Sequence, residues 1–138
     1  NSFGKEIYVE NENTIDISTA ISGTGPMYTY LLVESMIDAG IHMGLSREKT
    51  KKLVYQTVLG SIEYMIESDI HPAILRNDIT SPGGTSANAL YVLEKKGFRD
   101  TMAEAIWAAY KRSIELKNEN KWINFYKQFT IELLVNNK

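Results

Sequence analysis

The chain has 138 residues, which is enough for one domain and too few for two ordinary ones. Apolar residues make up 43% of the sequence and charged residues 23%, as in an average globular protein, which excludes a disordered tail. Fifteen basic and seventeen acidic side chains give a net charge of −2 and alternate without forming a basic stripe, so no nucleic-acid partner is expected.

Cysteine is absent, which excludes disulfides, zinc fingers and thiol catalysis and favours a reducing, cytoplasmic location. The longest uncharged stretch, residues 17–33, contains two glycines and a proline, so no membrane span is expected. Lys5 and Glu6 stand where a secretory signal would need an apolar run. Because the sequence begins with Asn1 rather than methionine, we expect it to be part of a longer protein.

The first predicted elements are a short extended segment and a polar turn over residues 7–16, and a second break follows at Ser22–Pro26. Beyond the turn, apolar residues recur with helical period, so the predicted fold class is all-α. Proline is tolerated in the first turn of a helix, so Pro26 is compatible with a helix start. A helix is predicted from Met27 to Met43. Apolar side chains lie on almost every face of this helix, so it must be buried all round. A second copy of so short a chain can cover the far side, which predicts a helical bundle that interlocks as a homodimer.

The remaining boundaries are set by glycines, prolines and capping residues. Gly44 ends the first helix and Ser46 caps the second. The predicted helices run from Ser46 along an apolar stripe to Met65, from Pro72 to about Asn77, from about Thr85 to Lys96, and from near Asp100 onward. A polar break is predicted at Asn118, followed by an amphipathic tail that contains Trp122, Phe125, Phe129 and Leu133.

A second glycine–proline break, residues 80–84, offers hydroxyls and unpaired backbone N–H groups at a helix start. Such a terminus carries roughly half a positive charge and presents free donors to an anion. Gly83 and Gly84 allow a ligand to approach the backbone, and Thr85 and Ser86 add side-chain donors. A carboxylate or a phosphate would fit this segment. The alternative is a capped turn that only joins two helices.

Other catalytic motifs are weak or missing. Asp38 and His42 stand four residues apart, but no third ligand follows at a useful spacing, so no metal site is predicted. The sequence contains neither a G-x-S-x-G elbow nor a phosphate-loop lysine. Gly23 and Gly25 are followed by Tyr28 where the third glycine of a dinucleotide-binding motif would stand.

Eight blocks of sequence, taken in order, carry a resemblance to a known family. They are Ile21–Tyr28, Asp38–Gly40, Met43–Leu45, Gln56–Gly60, His71–Pro72, Leu75–Arg76, Thr80–Thr85 and Leu93–Phe98. Their order and spacing resemble the C-terminal domain of pyrroline-5-carboxylate reductases from about Phe3 to Leu116.

The resemblance implies a full enzyme that reduces 1-pyrroline-5-carboxylate to L-proline with NADPH or NADH. It implies a preceding Rossmann domain that binds most of the cofactor, so the chain alone is predicted to be inactive. Residues 1–12 would end the linker from that domain. Residues 13–117 would form the helical dimerisation and substrate-binding domain, and residues 118–138 a helical tail of unassigned role. Family members form homodimers, often assembled into larger rings.

Carried over residue by residue, the resemblance places the substrate carboxylate at a helix start. It would be received by Gly84, Thr85 and Ser86, after a turn shaped by Ser81, Pro82 and Gly83. Thr24 would be the catalytic residue, lining the substrate pocket near the nicotinamide. Asn77 and Asp78 would lead into the site. The proton for the imine would come either from solvent or from a hydroxyl such as that of Thr24.

Three positions depart from the family pattern. Thr24 stands where serine is common, Ser86 where threonine is common, and Met27 where alanine is usual. The first two changes keep a hydroxyl, whereas the bulkier Met27 bears on helix packing or on access to the pocket.

Two other interpretations of the function stay open: a stand-alone helical dimerisation module without enzymatic activity, and the helical domain of another Rossmann-partnered dehydrogenase that acts on a different small acid.

Overall fold

The computed structural model describes the backbone of residues 11–135 and the side chains of Asn11 and residues 13–121. Within this range the elements are all helical, which confirms the predicted fold class. They are α1 (Glu12–Ser18), a π-helical turn (Thr19–Gly23), α2 (Gly25–His42), α3 (Arg47–Ser68), α4 (Pro72–Asp78), α5 (Thr85–Lys95) and α6 (Phe98–Val135). None of the helices, over the residues described, is long and apolar enough to cross a membrane.

Contacts divide the chain into two units. The first unit, called the terminal unit below, combines, among the described residues, 11–25 with 102–135. The second, called the central unit, is Pro26–Thr101. Thr24 therefore belongs to the terminal unit, and the Ser81–Ser86 segment belongs to the central unit.

The polar turn predicted near the N-terminal end is wrong, because Asn11 starts a helix there. Asn11 is extended (φ −147°, ψ 161°), and its Oδ1 accepts hydrogen bonds from the backbone N–H and the hydroxyl of Thr14, both at 3.0 Å. An asparagine in this capping position stabilises a helix by about 1 kcal/mol relative to alanine. The extended segment predicted for residues 7–10 lies outside the described residues.

A π-helical turn joins α1 to α2. In it the N–H of Thr24 donates to the carbonyl of Thr19, five residues back, at 2.9 Å. Thr24 itself keeps right-handed backbone angles (φ −86°, ψ −16°). The predicted break is therefore confined to one residue, and α2 follows at Gly25 with Pro26 in its first turn, as predicted. Single π-turns are rare and frequently occur at functional sites.

Helices α2 and α3 approach closely at a position that has no side chain. Gly40 of α2 is buried, and a Cβ placed there would collide with Cγ2 of Thr50 on α3. Thr50 is also buried, and its hydroxyl donates to the carbonyl of Ser46 at 2.9 Å. The close approach of the two helices at this point therefore requires glycine.

The predicted boundaries of α2 to α5 are confirmed within three residues. Gly44 has a left-handed φ of +104° after α2, and the side chain of Ser46 caps α3 by accepting from the N–H of Lys49 at 3.4 Å. His71 caps α4 through Nδ1, which accepts from the N–H of Ala73 at 3.2 Å. Local chemistry is sufficient to set each of these ends.

The last helix, α6, runs from Phe98 to Val135, so the break predicted at Asn118 is wrong. The stretch contains neither glycine nor proline, and asparagine costs a helix interior well under ~1 kcal/mol. Arg112 also donates through Nη1 to Glu115 and to Glu119, each at 2.9 Å, and these bonds raise the pKa of Arg112. The side chains of the predicted amphipathic tail, from Trp122 onward, lie outside those that the structure describes.

Candidate functional site

The segment from Ser81 to Gly84 is a tight turn that leads directly into α5. The N–H of Gly84 donates to the carbonyl of Ser81 at 3.0 Å. Gly83 has φ +73°, the left-handed value that the third residue of a type II turn requires, and Pro82 stands at the favoured second position. A Cβ built on Gly84 would lie 2.6 Å from Oγ of Ser81 and 3.1 Å from its carbonyl oxygen. Both glycines are therefore needed for this turn.

Helix α5 begins with unpaired backbone donors. Its N-cap is Gly84, which is extended (φ −76°, ψ 171°) and has no side chain with which to cap the helix. The carbonyl of Gly84 accepts from the N–H and the side-chain amide of Asn88, at 3.2 and 3.1 Å. Within the described part of the chain, the N–H groups of Thr85, Ser86 and Ala87 have no acceptor. This follows from helix geometry, since the first N–H groups of a helix have no carbonyl to reach.

The arrangement at α5 can bind a small anion. Thr85 is exposed, whereas Gly84 and Ser86 are half-buried, so backbone and hydroxyl donors lie at the surface of the central unit. No acidic residue stands in the first turn to occupy the donors or to repel an anion. The structure brings together the six residues predicted from Ser81 to Ser86 on one turn and one helix start.

Asn77 and Asp78, which were predicted to lead into the site, are the last two residues of α4 and precede this turn. Oδ1 of Asn77 accepts from Nη2 of Arg76 at 2.9 Å, and its carbonyl accepts from the N–H of Thr80 at 2.9 Å. The hydroxyl of Thr80 donates to the carbonyl of Arg76 at 2.6 Å. These bonds fix the end of α4, which gives Asn77 a structural task ahead of the glycine turn.

Thr24 is half-buried in the terminal unit, at the end of the π-helical turn. Its N–H and its hydroxyl both donate to the carbonyl of Thr19, at 2.9 and 3.1 Å. The hydroxyl hydrogen is therefore engaged, while the lone pairs of Oγ1 can accept a hydrogen bond from another group.

A buried carboxylate in the terminal unit was not predicted. Asp16 is only 8% exposed; its Oδ1 accepts from the hydroxyl of Ser113 at 3.0 Å, and its Oδ2 lies 3.5 Å from Nζ of Lys117. Asp16 and Ser113 stand 97 residues apart in sequence, so periodicity gives no sign of the contact. The one available signal was an ionisable residue between two isoleucines, Ile15 and Ile17, since a carboxylate must find a partner if it is buried.

The central unit has a large apolar groove between α2 and α3, with a volume of about 860 Å³. Its walls include Tyr30, Val33 and Ile37 of α2 and Tyr55, Leu59 and Ile62 of α3. Acidic Glu34 and Asp38 on α2 and basic Arg47 and Lys51 on α3 also line it. Tyr30 is 70% exposed and Leu59 54% exposed, so the groove leaves a substantial apolar surface uncovered.

Asp38 and His42 are both exposed on α2. Over the part of the chain that the structure describes, no three His, Asp or Glu side chains lie close enough together to hold a metal ion.

The fold and the site together define an all-helical domain with an uncapped helix start after a glycine turn and a wide apolar groove. Residues 12–116 match the model of the pyrroline-5-carboxylate reductase dimerisation family, and the chain belongs to that family. This confirms the resemblance found in the sequence.

Similar proteins agree with this assignment. A pyrroline-5-carboxylate reductase of Synechocystis is 48% identical over 105 residues, which cover 76% of this chain and 39% of that protein. The crystal structure of pyrroline carboxylate reductase from Plasmodium falciparum, with NADP bound, matches with a TM-score of 0.75 and 50% identity over 78% of this chain and 41% of that one. The structure of a pyrroline-5-carboxylate reductase from Coxiella burnetii matches with a TM-score of 0.76 and 38% identity, over 80% of this chain and 41% of that one. The chain thus spans about two fifths of the length of the relatives that it matches.

Proposed function

We propose that this chain is the helical part of a pyrroline-5-carboxylate reductase, which reduces 1-pyrroline-5-carboxylate to L-proline. The names of its relatives support this, as does the family match over residues 12–116, close to the domain predicted at residues 13–117. The observation that carries the substrate assignment is the uncapped start of α5 after two obligatory glycines. A cytoplasmic location is proposed with it, on the cysteine-free composition.

The cofactor is a nicotinamide dinucleotide, NADPH or NADH, and it is bound mainly by a part of the protein outside this chain. NADP in the Plasmodium relative supports this, and the chain lacks a glycine-rich dinucleotide motif. When bound, the reduced cofactor would supply a hydride to the carbon of the protonated imine and would itself be oxidised, while the ring nitrogen would keep its proton as the amine of proline. The protein has to bind and orient the ring for this transfer.

The start of α5 receives the substrate carboxylate. The N–H groups of Thr85 and Ser86, with their hydroxyls, are the donors, and the positive end of the helix dipole favours the negative charge. Hydrogen bonds to a charged group contribute about 1.5–3 kcal/mol each. Fixing the carboxylate restricts the position of the ring, which is the main catalytic contribution that this segment can make.

Thr24 contacts the ring nitrogen as an acceptor. Its hydroxyl hydrogen already lies on the carbonyl of Thr19, so Oγ1 offers lone pairs to the N–H of the protonated imine. This favours solvent as the source of the proton and gives Thr24 the task of stabilising the iminium ion.

The chain associates with a second copy through the groove between α2 and α3. The family is named for dimerisation, and the groove leaves apolar side chains such as Tyr30 and Leu59 largely exposed. Its two walls carry opposite charges, so the same surface on a second copy can be complementary to it. Assembly of such homodimers into larger rings is a further expectation.

An assay of the full-length protein tests the function. We expect oxidation of NADPH or NADH that depends on 1-pyrroline-5-carboxylate and yields an equal amount of proline, whereas the 138-residue chain alone yields none. Dimerisation without turnover by the full-length protein would instead favour a stand-alone helical module. Turnover with a different small acid and none with 1-pyrroline-5-carboxylate would favour another dehydrogenase.

A further inference from the structure

We propose that Asp16 and Ser113 are positioning residues that hold the π-helical turn and, through it, the hydroxyl of Thr24. The proposal rests on the function proposed for Thr24. It concerns two side chains to which that function gives no task.

The carboxylate of Asp16 connects α1 to α6 within the terminal unit. Ser113 and Lys117 stand four residues apart, so they occupy neighbouring turns on one face of α6. Oδ1 of Asp16 accepts from Ser113 at 3.0 Å and Oδ2 lies 3.5 Å from Lys117. Removing such a charge from water is costly unless it gains partners of this kind. The position of α1 along α6 is therefore tied to these contacts.

A short series of hydrogen bonds leads from Asp16 to Thr24. The backbone carbonyl of Asp16 accepts from the N–H of Thr19. The carbonyl of Thr19 in turn accepts from both the N–H and the hydroxyl of Thr24. Ala20, between them, is only 1% exposed, so the turn is also packed. Asp16, which is held against α6, is thus connected through the single residue Thr19 to the carbonyl that orients the Thr24 hydroxyl.

A π-turn contains one residue more than an α-helical turn and is less stable. Without the tie at Asp16, the turn can relax toward α-helical bonding, which would rotate Thr24 by about 100° around the helix axis, the angle of one residue. A displacement of about 1 Å at a reacting group can reduce the rate roughly 100-fold. We therefore expect the loss of the tie to lower kcat, while KM changes little because Thr85 and Ser86 are intact.

The experiment uses the full-length protein and the variants Ser113→Ala and Asp16→Asn. Ser61→Ala is the matched control, because Ser61 is an exposed helical serine whose hydroxyl donates to the carbonyl of Thr57 in its own helix. We expect kcat to fall about 10- to 100-fold in Ser113→Ala with KM within about threefold, and no change in the control. Circular dichroism establishes that each variant is folded; if Asp16→Asn is not, Ser113→Ala carries the test.

A double-mutant cycle with Thr24→Val separates this proposal from the function on which it rests. If Thr24→Val leaves kcat unchanged, the role proposed for Thr24 is wrong, and the positioning proposal fails with it. If Thr24→Val lowers kcat, Ser113→Ala should have little further effect in that background. A kcat that is unchanged in Ser113→Ala, or an effect of Ser113→Ala that is just as large without the Thr24 hydroxyl, overturns the positioning proposal alone.

Discussion

The N–H of Gly84 donates to the carbonyl of Ser81 at 3.0 Å, and the space beside Gly84 is filled by the side chain of that same serine. The turn that exposes the first N–H groups of α5 thus excludes a side chain at its last residue. This relationship links an obligatory glycine to the proposed carboxylate site.

We predict that Gly84→Ala in the full-length protein raises KM for 1-pyrroline-5-carboxylate at least about tenfold, the equivalent of one lost bond to a charged group. The added Cβ would lie 2.6 Å from Oγ of Ser81 and 3.1 Å from its carbonyl, so the turn must open and the α5 donors must shift. Gly60→Ala is the control, because its nearest neighbour would be 3.9 Å away, and alanine favours a helix by about 1 kcal/mol. Equal KM values in the two variants would contradict the prediction.

The close contact between Gly40 and Thr50 predicts that a substitution at Gly40 destabilises the fold and that a second substitution at Thr50 restores stability. Gly40→Ala should lower the free energy of unfolding by about 1–3 kcal/mol, because the new methyl group collides with Cγ2 of Thr50. Thr50→Ser removes that methyl and keeps the hydroxyl that bonds to Ser46. The double variant should therefore regain much of the loss, as measured by urea denaturation. A double variant no more stable than Gly40→Ala would show that the clash is not the cause.

The groove between α2 and α3 predicts the effect of a charge on self-association. Leu59→Lys places a charge in the apolar wall and should shift the protein toward monomers in analytical ultracentrifugation. Burying a side chain of this size contributes about 1.5–3 kcal/mol, and a charge in its place adds a desolvation cost. Gln56→Lys, an exposed position on the same helix that does not line the groove, is the control. Monomers in both variants, or dimers in both, would be inconsistent with an interface in this groove.

Much of the fold follows from local chemistry and could be predicted. Gly44, Ser46 and Pro72 set helix ends through backbone conformation or capping, and neighbouring residues are enough to identify them. The glycine turn before α5 could likewise be predicted from neighbouring residues alone. The N-terminal polar turn and the break at Asn118 were predicted wrongly because polar residues were interpreted as loops. In the predicted turn, Asn11 caps a helix. At the predicted break, Arg112 bonds to Glu115 and Glu119, which stand before and after Asn118 in the same helix.

What could not be predicted depends on contacts that are distant in sequence or on unusual backbone geometry. The bond between Asp16 and Ser113 spans 97 residues, and no periodic pattern reports it. The π-helical turn shows no compositional sign either, so the engagement of the Thr24 hydroxyl with Thr19 became visible only in the structure. The resemblance predicts that Thr24 lines the substrate pocket, and the proposal that it acts as an acceptor rests on the bond from its hydroxyl to Thr19.

The central claim is that the start of α5 binds the substrate carboxylate, and a substrate without that group tests it most directly. In the full-length protein, kcat/KM should be compared for 1-pyrroline-5-carboxylate and for 1-pyrroline, in the wild type and in the double variant Thr85→Ala, Ser86→Ala. We predict that the double variant loses about 10- to 100-fold with the carboxylate substrate, as expected for lost bonds to a charged group, and less than about twofold with 1-pyrroline. Equal losses with both substrates, or no loss with either, would contradict the account.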